Sequence, residues 1–234
     1  MRTTITFIFF LITHLATAQE LTGLELLDKA IKYHDPNNQW STFSGTLNVV
    51  MNMPDKEDRI SVIDIDIPAE AFQLNTTRGD VRYTQHMKND SCSYTMNGSS
   101  DISEEDLQNY RLTCSRTTLM KNYYTYLYGL PMKLKDPGTI IDPVVQEKTF
   151  NDKLYKVLRV TYDANVGKDI WYFYFDPQTY AMEVYQFFKN EVKNDGEYIL
   201  LSGEEVISGV KMPKNRAWYY NSNNGYLATD ILNK

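Results

Sequence analysis

Few residues of this chain have the types and spacing that chemistry requires. His34 and Asp35 are neighbours, and a histidine can act as a general base when a nucleophile lies within hydrogen-bonding distance. The pair comes directly before Pro36, where a predicted helix ends. The favoured interpretation is therefore a histidine at a helix end that hydrogen bonds to the last carbonyl groups of its own helix. His86 lies on a predicted strand, without a partner that the sequence identifies.

Two acids, Asp64 and Asp66, alternate along a predicted strand and so lie on one of its faces. Paired carboxylates can hydrolyse glycosides, but alternating acids are more often the solvated face of a strand. The sequence contains no G-x-S-x-G, H-E-x-x-H, Walker A or G-x-G-x-x-G motif. Two cysteines and three histidines are also little material for a metal site. We therefore predict no catalytic residue, no metal and no cofactor.

The first 19 residues have the pattern of a secretory signal. Arg2 precedes an apolar run at residues 5–12, and small residues follow at Ala16 and Ala18. The run is shorter than the roughly 20 residues that a membrane-spanning helix needs, which leaves an uncleaved anchor as the alternative. No cysteine lies near the cleavage site, so a lipid anchor is not expected. We predict a cleavable signal peptide at residues 1–19 and a mature protein that is periplasmic or secreted.

The two cysteines of the chain are Cys92 and Cys114. In an exported protein disulfides persist, and an even cysteine count favours pairing. We predict a disulfide between the two; the alternative is a pair of reduced thiols, with one of them buried on a helix face.

Tyrosines and apolar residues concentrate in residues 119–132, at the end of a predicted helix. Tyrosine combines apolar area with a polar tip, and methionine adapts to irregular shapes. Residues 170–175 form an aromatic strand that is apolar on both faces, which is typical of a strand covered on both sides or lining a cavity. The alternative is that these side chains are packed core. If the helix covers an apolar cavity as a lid, the ligand-binding candidates are Tyr123, Tyr126, Leu127, Tyr128, Leu130, Met132, Trp171 and Phe173.

The elements around these residues are mostly strands. Thr22 to Glu25 have the pattern of a capping box, and Leu24, Leu27, Ile31 and His34 recur at helical spacing, which predicts a helix at about residues 22–34. A second helix is predicted at residues 103–128, with Thr117 and Thr118 as the expected place for a bend or break. Hairpin signals recur before and after the second helix without a linker. We predict an α+β fold, in which residues 20–234 form one domain. A single curved antiparallel sheet of roughly 11 strands makes a half-barrel, and the helices cover its concave face.

Composition excludes several classes of protein. Of the 234 residues 42% are hydrophobic and 23% charged, as in an ordinary globular protein. The net charge of −6 argues against nucleic-acid binding, which needs a basic surface. We expect a monomer that has no nucleic-acid partner.

Several motifs together resemble a family of uncharacterised exported proteins from Bacteroidota, which is similar in plan to the Lol-type periplasmic lipoprotein carriers. The resemblance implies a half-barrel whose concave apolar face holds acyl chains beneath a helical lid. The motifs are Tyr33–Pro36, Tyr126–Leu134 with Asp136–Gly138, Tyr172–Pro177, Gly196–Leu201 and Arg216–Tyr219.

The leading hypothesis is therefore an exported envelope protein that binds an apolar or lipid-like ligand without catalysis. A structural or interaction module with a closed core, docking an envelope protein partner, is the first alternative. The second is a hydrolase that uses His34 or the pair Asp64 and Asp66, although no set of nucleophile, base and orienting residue can be assembled around them.

Overall fold

The computed structural model describes residues 20–234, so the predicted signal peptide lies outside the described residues. Within them, the α-helices are α1 (Gly23–His34), α2 (Glu104–Asn109) and α3 (Cys114–Gly129), and short 3-10 helices occur at Trp40–Thr42, Met132–Lys135 and Glu191–Lys193. The strands are β1 (Ser44–Asn52), β2 (Arg59–Asp66), β3 (Ala71–Arg78), β4 (Val81–Lys88), β5 (Ser91–Met96), β6 (Thr139–Ile141), β7 (Gln146–Phe150), β8 (Lys153–Tyr162), β9 (Ile170–Phe175), β10 (Met182–Phe188), β11 (Glu197–Ile207), β12 (Val210–Tyr220) and β13 (Tyr226–Asn233).

All thirteen of these strands belong to one antiparallel sheet. Strands β1 to β5 form one meander and β8 to β13 form another, and pairing of β1 with β13 joins them. The sheet is not closed: β5 is one edge, and β6 and β7 both pair with β8 at the other. The predicted α+β half-barrel is confirmed, with 13 strands rather than roughly 11. Strand β6 was not predicted because its three residues are too few to show an alternating pattern.

The inner face of the sheet, which faces α3, carries the main core. In β2 the alternation places Ser61, Ile63 and Ile65 on this face, where they are buried. The acids Asp64 and Asp66 point to the outer face. A smaller cluster covers the outer face of β8 to β10, where Tyr172 and Tyr174 pack with Phe150 of β7 and others. This outer cluster explains why the aromatic strand is apolar on both sides.

Helix α1 begins with the predicted capping box, in which Thr22 and Glu25 satisfy each other's backbone N–H groups. Its buried face contains Leu26, Leu27, Ala30 and His34. Leu24, predicted on the apolar stripe, is instead 54% exposed, because the stripe that packs against the sheet is rotated around the helix from the expected one.

The predicted helix 103–128 is two helices, and the break lies at residues 110–113. Arg111 has a left-handed backbone (φ 52°), and the Thr113 hydroxyl accepts from the Arg116 N–H (3.2 Å) to start α3. Thr117 and Thr118, the expected break, lie within α3, and their hydroxyls donate to the carbonyls of Thr113 and Cys114 (3.1 and 3.0 Å).

Two contacts fix the ends of α3 across the concave face. At its start, Cys114 forms a disulfide with Cys92 of β5, with a Cα–Cα distance of 5.6 Å, so the predicted disulfide is confirmed. At its end, Gly129 packs directly against the indole of Trp40, where a Cβ atom would collide with the ring. The chain then turns at a cis Leu130–Pro131 peptide bond.

Candidate apolar ligand site

A cavity of about 440 Å³ lies between α3 and the inner face of the sheet. Its size is within the range of about 300–1,000 Å³ that small-molecule sites occupy. Most of its lining is aromatic or aliphatic. The lining residues are Met51, Tyr123, Tyr126, Leu127, Asp169, Trp171, Phe187, Glu197, Trp218, Leu227 and Ala228. We call this space the apolar cavity.

Helix α3 supplies one wall of the apolar cavity. Tyr123, Tyr126 and Leu127 have the i, i+3, i+4 spacing that places side chains on one helix face. The Tyr126 hydroxyl hydrogen bonds to the hydroxyl of Tyr162 in β8, which ties the helix to the far side of the sheet. Burial raises the pKa of Tyr123 and of Tyr126 well above 10, so both remain neutral at physiological pH.

The opposite wall is an aromatic surface centred on Trp171. Its ring stacks on Phe187, its partner across β9 and β10, with centroids 4.9 Å apart, and Tyr126 meets it edge-on at 5.8 Å. Trp218 donates its indole N–H to Asp230 (3.1 Å). This bond satisfies the polar atom of Trp218, and the ring can therefore serve as an apolar wall.

Two acids, Asp169 and Glu197, are the charged members of the lining. Both lie where a strand begins: Asp169 comes directly before β9, and Glu197 is the first residue of β11. Burial raises the pKa of Glu197. The carboxylate groups of Asp169 and Glu197 would repel a negatively charged ligand group. The lining therefore favours an uncharged part of a ligand inside the apolar cavity.

The cavity includes half of the eight ligand-binding candidates: Tyr123, Tyr126, Leu127 and Trp171 line it. The other half lie in the core, with exposures of 8% or less, and do not line it: Tyr128, Leu130, Met132 and Phe173. Tyr128 turns away because it is on the other side of α3, and Met132 and Leu130 follow the end of the helix. Phe173 lies beside Trp171 on the same face of β9, with ring centroids 5.9 Å apart.

Sequence reasoning missed five apolar lining residues. Phe187 could have been found, because it is directly opposite Trp171 in the β9–β10 hairpin. Met51 and Ala228 are brought together by pairing between β1 and β13, which are far apart in the chain and leave no local signal. Trp218 and Leu227 depend in the same way on how the last two strands join the sheet.

A charged row crosses the inner face next to the apolar cavity. Arg59, Met51, Asp230 and Arg216 are successive partners across β2, β1, β13 and β12. Arg216 is fully buried, donates to the Pro213 carbonyl (3.0 Å) and stacks over the Tyr128 ring at 4.1 Å. Burial raises the pKa of Asp230. Of this row, only Met51 lines the apolar cavity.

His34 has no free nitrogen for catalysis. It is 1% exposed; its Nδ1–H donates to the Lys211 carbonyl (3.0 Å), and its Nε2 accepts from the Met182 N–H (2.9 Å). The prediction that His34 bonds to carbonyl groups of its own helix is wrong. The ring instead connects α1 to β10 and β12. The bond at Nε2 requires the neutral ring, because a protonated nitrogen cannot accept, and burial lowers the pKa of His34 below 6.5.

The two acids of β2 serve the outer face of the sheet. Asp64 accepts from the Thr46 hydroxyl (2.6 Å) and the Gln73 amide (3.2 Å), and Asp66 accepts from the Ala69 N–H (2.9 Å). Both acids therefore hydrogen bond to neighbouring strands and to a turn. This agrees with the interpretation that they form the solvated face of the strand.

Residues 20–234 contain no group of three or more His, Cys, Asp and Glu side chains arranged to hold a metal. Among the helices of the same residues, none is long and apolar enough to cross a bilayer.

Comparison with solved structures identifies the same fold elsewhere. A LolA superfamily protein from Nitrosomonas europaea is 15% identical, with a TM-score of 0.52 over 92% of this chain and 93% of its own. A DUF1329 family protein from Desulfovibrio piger is 10% identical, with a TM-score of 0.50 over 91% and 90%. The predicted similarity in plan to the Lol-type proteins is thus confirmed for the fold.

In sequence, no curated protein matches the chain significantly. The model of a family of unknown function, DUF6503, matches residues 4–233.

Proposed function

The chain belongs to the DUF6503 family of unknown function, and we propose that it is a non-catalytic binding protein for an acyl chain or similar lipid-like group. The observation that carries the proposal is the apolar cavity under α3, whose lining is aromatic or aliphatic at nine of eleven positions. Each buried methylene group contributes about 0.8 kcal/mol, so a chain inserted there gains affinity in proportion to its length.

We further propose an exported protein of the cell envelope, periplasmic or secreted, that acts as a monomer of one domain, residues 20–234. The predicted signal peptide supports export. The Cys92–Cys114 disulfide supports it independently, since disulfides persist in oxidising compartments.

Binding of saturated fatty acids to delipidated protein tests this function. A fluorescent fatty acid reports occupancy, and unlabelled acids of about 8 to 14 carbons displace it. We expect one site and an affinity that increases up to about fourfold per methylene until the cavity is full.

The matched variants are Ala228→Phe and Ala217→Phe. Ala228 lines the apolar cavity, whereas Ala217 lies on the neighbouring strand β12 and points to the outer face. Ala228→Phe should fill the cavity and abolish binding, and Ala217→Phe should bind normally. Absence of saturable binding, or equal loss in both folded variants, would leave the closed-core interaction module as the better account.

A further inference from the structure

A second cavity, about 360 Å³, lies on the other side of α3, between the α2–α3 connection and strands β2 to β4. Its lining contains four of the eight arginines of the chain and none of its lysines, aspartates or glutamates. The four are Arg59, Arg78, Arg111 and Arg116. We call this cavity the arginine pocket.

None of the four arginines forms a close ion pair, although Arg59 shares the charged row of the inner face with Asp230. In the described part of the chain, every ion pair within 4.0 Å uses a lysine, and none uses an arginine of the pocket. The chain has 30 acidic residues and a net charge of −6, so acids were available. Four like charges around one cavity repel one another, and an anion bound between them would remove that cost.

A buried donor of the pocket lining also lacks a partner. Arg59 Nε is buried and makes no hydrogen bond, and Arg59 lines the pocket. A buried donor without an acceptor is costly, and an anion in the pocket would supply the missing acceptor.

The pocket is held in shape by covalent and aromatic contacts. Arg111 and Arg116 flank Cys114, whose disulfide to Cys92 fixes the α2–α3 connection above β4 and β5. Tyr110 in that connection packs on Tyr83 of β4, with ring centroids 5.4 Å apart. The disulfide and the Tyr110–Tyr83 contact therefore hold Arg111 and Arg116 in place, on the side of the pocket opposite Arg59.

From this geometry we propose that the arginine pocket binds a ligand through a phosphate group. Guanidinium forks bind the oxygens of phosphate in bidentate fashion, and several arginines suit a group of more than one negative charge. The phosphate belongs either to a small soluble compound or to the headgroup of a lipid. The proposal does not depend on the acyl-binding function, since the two cavities have no lining residue in common.

Calorimetric titration of the folded, disulfide-bonded protein tests the proposal. The probes are inorganic phosphate, pyrophosphate, and the short-chain soluble lipids dihexanoyl phosphatidic acid and dihexanoyl phosphatidylcholine. We expect saturable binding of pyrophosphate near one equivalent, weakened by salt. Preference for the phosphatidic acid over pyrophosphate would assign the phosphate to a lipid headgroup; equal or weaker binding of the phosphatidic acid would assign it to a soluble compound.

The variant Arg111→Gln/Arg116→Gln should weaken pyrophosphate binding about tenfold or more. The control is Arg82→Gln, which removes the same kind of charge from an exposed position on β4 outside the pocket lining. If the double variant does not fold, Arg78→Gln, at an exposed position, replaces it. The proposal is overturned if no phosphate probe binds saturably, or if Arg82→Gln reduces binding as much as the pocket variants do.

Discussion

At the scale of single residues, His34 shows how a residue suited to catalysis can be structural. The imidazole connects α1 to two strands through backbone atoms of Lys211 and Met182. These bonds use one nitrogen as donor and the other as acceptor, and a protonated ring cannot accept. Folding therefore depends on the neutral form of His34.

We predict that the contribution of His34 to stability decreases as the pH falls below 6.5. The pKa of His34 is lower in the folded protein than its ordinary value of 6.5, so below that pH the unfolded chain binds a proton that the folded chain does not. The free energy of unfolding should decrease by up to about 1.4 kcal/mol per pH unit in this range. Denaturant unfolding measures this decrease over a pH range of about 5.5 to 7.5, roughly one unit on either side of 6.5.

The matched variants for this prediction are His34→Gln and His86→Gln. His34→Gln should be less stable at neutral pH and show a smaller slope. His86→Gln, at a half-buried position on β4, should keep the wild-type slope. An unchanged slope in His34→Gln would show that another group causes the pH dependence.

Residue patterns predicted local hydrogen bonding more accurately than they predicted which residues are buried against distant parts of the chain. The Thr22–Glu25 capping box and the outward acids Asp64 and Asp66 were readable because each depends on neighbours in sequence. The need for Gly129 was not readable, since it comes from the approach of Trp40, which is 89 positions earlier in the chain. His34 was placed at a helix end correctly, but its partners belong to strands that sequence alone does not bring near.

At the scale of elements, the central feature is α3, which crosses the concave face and separates the two cavities. Its first residue is bound to β5 through the disulfide, and its last turn is bound to β8 through Tyr126 and Tyr162. The break before α3 determines this path, because the left-handed Arg111 redirects the chain between α2 and α3.

Removal of the disulfide should destabilise the protein by roughly 3 kcal/mol, the loss expected for a cross-link that closes a loop of this length. Cys92 and Cys114 are separated by 22 positions. Denaturant unfolding with and without reductant measures the difference, and the variant Cys92→Ala/Cys114→Ala should be insensitive to reductant. Alkylation of the native protein should label no thiol; two labelled thiols would contradict the assignment.

Truncation of side chains in α3, in β9 and just after α3 should separate cavity lining from core. Phe173 is fully buried, and Phe173→Ala should cost about 3–5 kcal/mol. Tyr126 is partly buried and faces the apolar cavity, so Tyr126→Ala should cost less while weakening fatty-acid binding. Met132 is in the core, and Met132→Ala should cost about 2–5 kcal/mol.

Thermal and denaturant unfolding of these variants, with fatty-acid binding measured on each folded protein, provides the comparison. Tyr126→Phe is the control, because it keeps the ring and removes only the hydrogen bond to Tyr162. If Tyr126→Ala unfolds as readily as Phe173→Ala and binds normally, α3 is ordinary core and not a cavity wall.

At the scale of the whole molecule, the sheet is one open meander in which the first and last thirds of the chain meet. Local alternation and hairpin signals predicted this class of fold, because twelve of the strands extend over five residues or more. The pairing of β1 with β13 was not predictable from local patterns, and the apolar cavity depends on it. For this reason the sequence left a lid over a cavity and a packed core as alternatives, and it identified only part of the lining.

The location of tryptophans gives the most direct measurement of the central claim, that a lipid-like chain occupies the apolar cavity. The chain has three tryptophans: Trp171 and Trp218 line the cavity, whereas Trp40 packs under Gly129 outside it. A bromine-labelled fatty acid quenches indole fluorescence on contact. We predict saturable quenching of Trp171 and Trp218 at about one equivalent, with Trp40, isolated in the variant Trp171→Phe/Trp218→Phe, remaining unquenched. Quenching that never saturates, or that affects Trp40 equally, would contradict the account.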